Sequence, residues 1–179
     1  NQDLTVSEGS LENPDKLYAV YWGNKRKLTI SASDISASAR RNAVYVNTSS
    51  YADIGDNGIV HLIAGSETSS LKNINTLFAE TGSTINLYGK NVIVDAISDG
   101  TQSVNAIKAD LGGAKLSSSI TIGSQQTESI SINAKGNDSS FGILNLLISI
   151  DLLASFNIFP TSTLFFIGST LLALNKSSY

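Results

Sequence analysis

The feature that most constrains this chain is a unit that recurs three times between Leu28 and Ala134. Each copy has a short alternating apolar run, a polar turn and a second alternating run that ends on alanine. The three copies are LTISASDISASA (Leu28–Ala39), INLYGKNVIVDA (Ile85–Ala96) and ITIGSQQTESISINA (Ile120–Ala134). A unit of roughly 25–35 residues that varies mainly in its connectors is typical of stacked repeat architectures.

A second element follows each copy after a polar connector. It consists of a small residue and an aliphatic residue: Ala43-Val44, Ala106-Ile107 and Gly142-Ile143. Ala19-Val20 echoes it near the start of the chain, and Ile74–Glu80 is the weakest copy of the repeat. The connectors differ in length but the strand-like parts do not, so the sequence predicts that insertions lie in loops.

Alternation of apolar and polar residues between turn signals predicts short β-strands, and helical periodicity is absent through residue 142. One unit cannot bury its apolar side alone, so we predict an all-β fold, a parallel β-solenoid whose inward residues stack in columns. At roughly 20–25 residues per coil, residues 17–142 are expected to form about five or six coils. An antiparallel sandwich is the alternative; it explains the strand number and spacing but not the recurrence of sequence.

Composition narrows the function. The chain is 41% hydrophobic and 15% charged, with a net charge of −3, so a nucleic-acid partner is not expected. It contains neither cysteine nor methionine. A disulfide framework and a cysteine nucleophile are therefore excluded. Asn1 is not a translation start, which indicates a processed product or a fragment.

Candidate catalytic and metal-ligating residues are few. His61 is the only histidine and lies in the strand-like run IVHLIA. We interpret it as an outward strand residue, opposite Ile59 and Ile63 or their neighbours. We predict no catalytic residue, no metal ligand and no cofactor, and we do not expect the chain to be an enzyme.

The carboxylates are dispersed, and we interpret them, with the arginines, as residues of turns and solvent-facing strand sides. These residues are Asp34, Asp53, Asp56, Asp95, Asp99, Asp110, Asp138, Arg26, Arg40 and Arg41. Asp56-Asn57-Gly58 lacks the glycine-rich calcium repeat. Gly112-Gly113 lacks the spacing of a nucleotide loop and is interpreted as a coil corner.

Two further patterns bear on surface chemistry. Asn47-Thr48-Ser49 and Asn137-Asp138-Ser139 fit the glycosylation triplet, which arises readily by chance in a chain rich in Asn and Ser. Aromatic residues cluster in the first third of the chain: Tyr18, Tyr21, Trp22, Tyr45 and Tyr51. If exposed together they would form a carbohydrate- or protein-binding patch; if buried or scattered they have no special role.

The composition changes at Ile143. Residues 143–179 contain nine leucines, against ten in the preceding 142 residues. We therefore divide the chain into solenoid repeats at residues 1–142 and an apolar tail at residues 143–179. Three interpretations of the tail stay open: a cap on the last coil, a membrane segment at Ile158–Leu174, or the product of a frameshift or truncation.

Between Leu17 and Ile143 the chain resembles the passenger region of Gram-negative autotransporters. The resemblance rests on the repeated alternating runs that end on alanine, the GSTINLYG element (Gly82–Gly89), the NA(V/I) and FGI elements and the absence of cysteine. It implies a right-handed parallel β-helix on the cell surface, or secreted. It also implies an outer-membrane β-barrel translocator on the same full-length polypeptide, and a host-surface protein or glycan as partner.

The resulting prediction is a non-catalytic passenger fragment that acts as an adhesin or as a structural stalk. The alternative is a β-helical protein that acts on or binds polysaccharide, such as a lyase-like enzyme or a phage tailspike-like fragment. That alternative requires a pair of carboxylates on one face of adjacent coils, with Asp95 and Asp99 as the candidates.

Overall fold

The computed structural model describes residues 4–7, 17–110, 117–137, 139–144, 148–150 and 155–160. These residues form sixteen β-strands and no helix. The strands are β1 (Leu4–Ser7), β2 (Tyr18–Trp22), β3 (Lys27–Ile30), β4 (Ile35–Ala39), β5 (Asn42–Val46), β6 (Tyr51–Ile54), β7 (Ile59–Gly65), β8 (Ile74–Ala79), β9 (Thr84–Leu87), β10 (Asn91–Ile97), β11 (Val104–Ala109), β12 (Ser119–Ile122), β13 (Ser129–Lys135), β14 (Phe141–Leu144), β15 (Ile148–Ile150) and β16 (Ser155–Pro160).

The strands form three parallel sheets. Sheet 1 contains β1, β4, β7, β10, β13 and β16; sheet 2 contains β2, β5, β8, β11 and β14; sheet 3 contains β3, β6, β9, β12 and β15. Consecutive strands visit the sheets in turn, and each pairs with the strand three places further along the chain. The predicted all-β class with parallel strands is confirmed. The antiparallel sandwich is wrong, because the strand pairs of all three sheets run parallel.

The pairing register reproduces the sequence repeat. In sheet 1 the alanines that end each run form one column: Ala39, Ala64, Ala96 and Ala134. In sheet 2 the aliphatic residues of the second element form another: Val20, Val44, Leu77, Ile107 and Ile143. Each of the three predicted units is thus a sheet 3 strand, a corner and a sheet 1 strand. The prediction that Ile74–Glu80 is a weak copy of this unit is wrong, because this segment forms β8 of sheet 2 and the start of the corner after it.

We call three consecutive strands, one from each sheet, a level. The interval between paired residues varies from 24, for Val20 with Val44, to 38, for Asn91 with Ser129. The intervals between β2 and β7 fit the predicted 20–25 residues per coil, but most of the later ones exceed it, because their connectors contain more residues than the estimate allowed. Accordingly residues 17–144 supply five strands to sheet 2 but four to each of the other sheets.

The apolar core lies between the three sheets. Inward side chains of sheet 1, such as Leu62 and Val94, are fully buried, as are Ile85 and Leu87 of sheet 3. They alternate with outward residues that are half-buried or exposed. Full burial of an aliphatic side chain stabilises the fold by about 1.5–3 kcal/mol, so the columns are the main source of stability.

The corners between sheets 2 and 3 share one backbone conformation. Two successive residues have positive φ at three levels: Asn24 and Lys25, Thr48 and Ser49, Thr81 and Gly82. Lys25 N donates to Thr48 O at 3.0 Å, and Ser49 N donates to Thr81 O at 2.9 Å. The corners therefore stack on one another, and their hydrogen bonds offset the strain of left-handed backbone at non-glycine residues.

The three sheets continue past the change of composition at Ile143. Strand β14 pairs with β11, β15 with β12 and β16 with β13. Whether the tail is a cap, a membrane segment or an altered end stays a prediction, and residues 161–174 of the proposed membrane segment lie outside the described part of the chain. Across the residues that the structure describes, no helix has the length and apolarity needed to cross a membrane.

Candidate functional site

His61 lies on the outward side of sheet 1. It follows buried Val60 and precedes buried Leu62 on β7, so its predicted outward position is confirmed. Ile59 and Ile63, two positions away on the same strand, share its side of the sheet rather than oppose it.

The imidazole of His61 belongs to a polar cluster that spans three strands of sheet 1. His61 Nε2 lies 3.0 Å from Asp95 Oδ2 on β10. On the next strand, β13, Asn133 Nδ2 donates to Asp95 Oδ1 at 2.6 Å. The side chain of His61 is 41% exposed and that of Asp95 is 18% exposed, so a ligand at this face would meet the imidazole first.

The other carboxylates described by the structure have local partners. Asp34 Oδ1 accepts from Ile59 N at 2.6 Å. Asp99 accepts from Thr101 N and Thr101 Oγ1, and these hydrogen bonds lower the pKa of Asp99. Asp95 and Asp99 thus engage different partners, one on the strand face and one in the turn that follows.

Two further aspartates also lie near polar partners. Asp56 Oδ2 accepts from Ser31 Oγ at 3.4 Å, and Asp110 Oδ2 lies 3.4 Å from Lys108 Nζ. Asp138 and Gly112-Gly113 lie outside the described residues. Within the described part of the chain, no group of three or more His, Cys, Asp or Glu side chains is placed to hold a metal ion.

A second polar cluster lies on the outward side of sheet 3. Lys27 Nζ is 3.2 Å from Asp53 Oδ2, and Asn86 Nδ2 donates to Asp53 Oδ1 at 3.0 Å and to the Tyr51 hydroxyl at 2.5 Å. Burial opposes ionisation of Asp53, but hydrogen bonds from Asn86 and Tyr51 and the charge of Lys27 hold its pKa below the usual value. The hydrogen bond to Asp53 raises the pKa of Tyr51.

The outward side of sheet 2 carries an aromatic cluster formed by Tyr18, Tyr21, Tyr45 and Phe78. The ring centroids of the three tyrosines are 5.3 to 5.6 Å apart, and the ring of Phe78 stacks on that of Tyr45 at 5.0 Å. Tyr21, Tyr45 and Phe78 are paired in register. These spacings are typical of favourable aromatic pairs.

The predicted aromatic patch is therefore only partly assembled. Tyr51 lies on sheet 3, and the indole of Trp22 packs against the core and donates to Arg26 O at 3.1 Å. Phe78 joins the cluster although the sequence analysis did not select it. The signal was present, because alignment of Thr76-Leu77 with Ala43-Val44 places Phe78 beside Tyr45.

Polar groups border the aromatic cluster at the corner that follows. The Tyr45 hydroxyl donates to Glu80 Oε2 and accepts from Asn47 Nδ2 at 3.2 Å. Burial, and then the hydrogen bond to Glu80, raises the pKa of Tyr45. Asn47 Oδ1 accepts from Tyr21 and from Thr48, so the amide of this glycosylation triplet is already engaged.

Asparagine 137 of the second triplet is likewise engaged in local structure. Asn137 Oδ1 accepts from Ser103 Oγ at 2.9 Å and from Ser139 N at 3.0 Å. The Asn137 side chain therefore ties this loop to the connector of the preceding level, at Ser103.

Basic residues lie at the corners on both sides of sheet 2. Lys25 and Arg26 lie at the corner after β2, where the Arg26 guanidinium is 4.9 Å above the Trp22 ring. Arg40 and Arg41 lie at the corner before β5, where Arg41 N donates to Leu17 O. The sequence analysis interpreted these arginines as turn residues, and their positions at corners agree with that interpretation.

A column of buried serines, which the sequence analysis missed, fixes the corners between sheets 2 and 3. Ser50 Oγ accepts from Arg26 N, Ser83 Oγ from Ser50 N, and Ser118 Oγ from Ser83 N, at 3.2 to 3.3 Å. Each hydroxyl accepts a hydrogen bond from a backbone N–H of the preceding level. For Ser50 N and Ser83 N, this N–H is buried and would otherwise lack a partner. The signal was the serine that directly precedes strands β6, β9 and β12.

No protein-family model matches the chain, and no curated protein or solved structure shows significant similarity to it. The resemblance to autotransporter passengers therefore rests on the sequence motifs and stays a prediction.

Proposed function

We propose that this chain is part of a right-handed parallel β-solenoid of the autotransporter passenger type. In this proposal it stands on the surface of a Gram-negative bacterium, or is secreted, and acts as an adhesin or as the stalk of one. It has no catalytic role, and a β-barrel translocator belongs to the same full-length polypeptide.

One observation carries the proposal: the same order of three parallel strands recurs, in register, from Leu4 to Pro160. Between two successive strands of one sheet, the chain contributes one strand to each of the other two sheets. A solenoid requires this connectivity. Parallel crossover connections are right-handed in about 98% of cases, which favours the right-handed form. Absence of cysteine suits a chain that crosses the outer membrane unfolded.

The outward residues form a polar surface that suits a structural or adhesive rod. Their hydroxyl, amide and carboxylate groups are largely paired with neighbours one level away, as in Ser129 Oγ with Asn91 Oδ1 at 2.7 Å and Thr84 with Ser119 at 3.0 Å. A rod with such faces offers a long and rigid surface on which loops present binding groups.

The first test is the gene itself. Sequencing on both sides of the segment should reveal, downstream, a coding region for many amphipathic strands, as a barrel translocator requires. External protease added to intact cells should then remove the chain while leaving a periplasmic marker intact.

A gene that ends shortly after Tyr179 with no barrel nearby, or a chain that protease reaches only after lysis, would contradict surface display by this route. The solenoid would then belong to another class of protein.

A second candidate function is action on polysaccharide, and the His61–Asp95–Asn133 cluster favours it. The cluster places an exposed imidazole next to a carboxylate, an arrangement able to move a proton. Turnover of a uronate polysaccharide that is lost in Asp95→Asn and retained in Asp99→Asn would support this function. If the native chain turns over none of a broad panel of acidic and neutral polysaccharides, this second function is excluded.

A further inference from the structure

We propose that Asn57 is a site of spontaneous modification, at which the side-chain amide is converted to a carboxylate. Asn57 lies in the corner that joins β6 to β7, and Gly58 follows it directly. This Asn-Gly pair is the only one in the 179 residues. The reaction consumes water alone, so the proposal goes beyond the proposed function and does not depend on it.

Packing between levels requires a glycine directly after Asn57. A Cβ on Gly58 would lie 1.5 Å from Ser33 O and 2.3 Å from Asp34 Oδ1, both in the preceding level. The fold therefore excludes a side chain at residue 58. The same absence of a side chain leaves the backbone nitrogen of Gly58 unshielded from the amide of Asn57.

The side chain of Asn57 is available for reaction. It is exposed and lies outside the strands. Among the residues that the structure describes, none forms a hydrogen bond with this side chain. By contrast, the amides of Asn86 and Asn133 donate to Asp53 and Asp95. The Asn57 amide can therefore rotate towards its own backbone, whereas those two amides are held away from theirs.

The chemistry is an intramolecular substitution followed by hydrolysis. The backbone nitrogen of Gly58 attacks Cγ of Asn57, the bond from Cγ to the amide nitrogen breaks, and ammonia leaves with the proton of the Gly58 N–H. The product is a five-membered succinimide, and proximity of the two groups drives its formation. Water then opens the ring. Cleavage of the new Cγ–N bond gives aspartate, and cleavage of the original peptide C–N bond gives isoaspartate.

The two products differ in their effect on the corner. Each adds one negative charge, but isoaspartate also lengthens the main chain by one atom, because the chain then passes through Cβ and Cγ. Gly58 O accepts from Lys90 N at 2.8 Å, and Ile59 N donates to Asp34 Oδ1 at 2.6 Å. These contacts tie the corner to the levels on both sides. The extra atom must displace one of them, so isoaspartate should weaken the stack.

The test is ageing of the folded native chain in a mildly alkaline buffer, followed by digestion and peptide mass spectrometry. Asn24 and Asn73 are internal controls, because both are exposed but are followed by Lys25 and Ile74. We expect the peptide that contains Asn57 to show amide-to-acid exchange at least roughly tenfold faster than either control, since the approach of the attacking nitrogen sets the rate. Electron-transfer fragmentation then distinguishes isoaspartate from aspartate.

Two variants separate the chemistry from its structural effect. Asn57→Gln lengthens the side chain by one methylene, which disfavours ring closure, and should abolish the rapid exchange at this peptide while the circular dichroism spectrum stays native. Asn57→Asp carries the new charge on a main chain of normal length. The isoaspartyl form, isolated from the aged chain by chromatography, should unfold at a lower urea concentration than Asn57→Asp.

The proposal is overturned if Asn57 in the folded chain reacts no faster than Asn24 and Asn73, or if Asn57→Gln reacts at the native rate. It is also overturned if the exchange occurs only in urea, because the folded corner would then protect Asn57. Equal urea midpoints for the isoaspartyl form and Asn57→Asp would overturn the predicted weakening of the stack.

Discussion

The inward and outward sides of the same strands differ in how residue type varies from level to level. Inward columns keep to aliphatic residues and alanine: Ala37, Leu62, Val94 and Ile132 form one column of sheet 1, and all four are fully buried. Outward columns vary more in chemical character along the levels. In sheet 2 the column that begins with Tyr21 and Tyr45 continues through Phe78 to Lys108.

This difference shows that packing restricts the inward residues, whereas the outward residues, which a ligand would contact, are less restricted. Stacked levels bury the same volume repeatedly, so the inward side accepts few residue types. The outward side must only keep its polar groups satisfied, and it is free to vary. Substitutions on the two sides should therefore have unequal effects, in a predictable order.

The largest effect is expected at the centre of an inward column. Leu62→Ala removes a fully buried side chain and should destabilise the fold by about 2–5 kcal/mol, because the three sheets prevent collapse of the cavity. Its neighbour Ile63, on the outward side, is the matched control. Urea unfolding should give a clearly smaller loss of unfolding free energy for Ile63→Ala. Equal losses for the two variants would contradict the claim that the two sides of the strand differ.

A corner should be nearly as sensitive where two levels touch through backbone. A Cβ on Gly58 would lie 1.5 Å from Ser33 O, so Gly58→Ala must move the main chain and should cost about 2–3 kcal/mol. A Cβ on Gly100 meets no atom within 4 Å, and Gly100→Ala carries only the strain of its positive φ of 89°. If thermal unfolding gave the larger loss for Gly100→Ala, close stacking at Gly58 would be refuted.

The serine column should give an intermediate effect. Ser83→Ala leaves the backbone N–H of Ser50 without its acceptor in a buried corner, and we expect a loss of about 1–2 kcal/mol in unfolding free energy. Ser36 is an exposed serine on an outward position of β4, and Ser36→Ala should change stability by less than about 0.5 kcal/mol. Equal losses of unfolding free energy in the two variants would show that the Ser83 hydroxyl does not stabilise the corner.

The smallest effect is expected from the outward Asp53 cluster and depends on pH. Because the pKa of Asp53 is lowered in the folded protein, its contribution is fully present above its unfolded pKa of about 4 and is lost as pH falls through the lower folded value. The urea midpoint of the native chain should therefore approach that of Asp53→Asn between about pH 4 and pH 2. A gap between the two proteins that is constant over this range would contradict the assignment.

The sequence predicted the inward side well. Alternation and the terminal alanine of each run located the strands of sheets 1 and 3, and the small-aliphatic element located those of sheet 2. These features repeat because each level meets the same packing requirement. The length of the connectors is not set by this packing, so the interval of 24 to 38 residues between levels did not follow from the pattern.

The outward side was harder to predict for a physical reason. Ser83 resembles any turn serine in a serine-rich chain, and its role appears only when the backbone of the level below is in place. Tyr51 lies near Tyr45 in sequence, yet a corner places it on another sheet. Phe78 is distant in sequence but adjacent in register. Such contacts depend on the offset between levels, which the connectors determine.

The central claim is that consecutive strands lie in different sheets and that each pairs in parallel with the third strand along the chain. Nuclear Overhauser spectra of the isotopically labelled chain test this directly. We expect amide-to-Cα-proton contacts that link Leu62 to the strand of Val94, and Val94 to the strand of Ile132. Strong contacts between Cα protons of neighbouring strands in sequence, the signature of antiparallel pairing, would contradict the account.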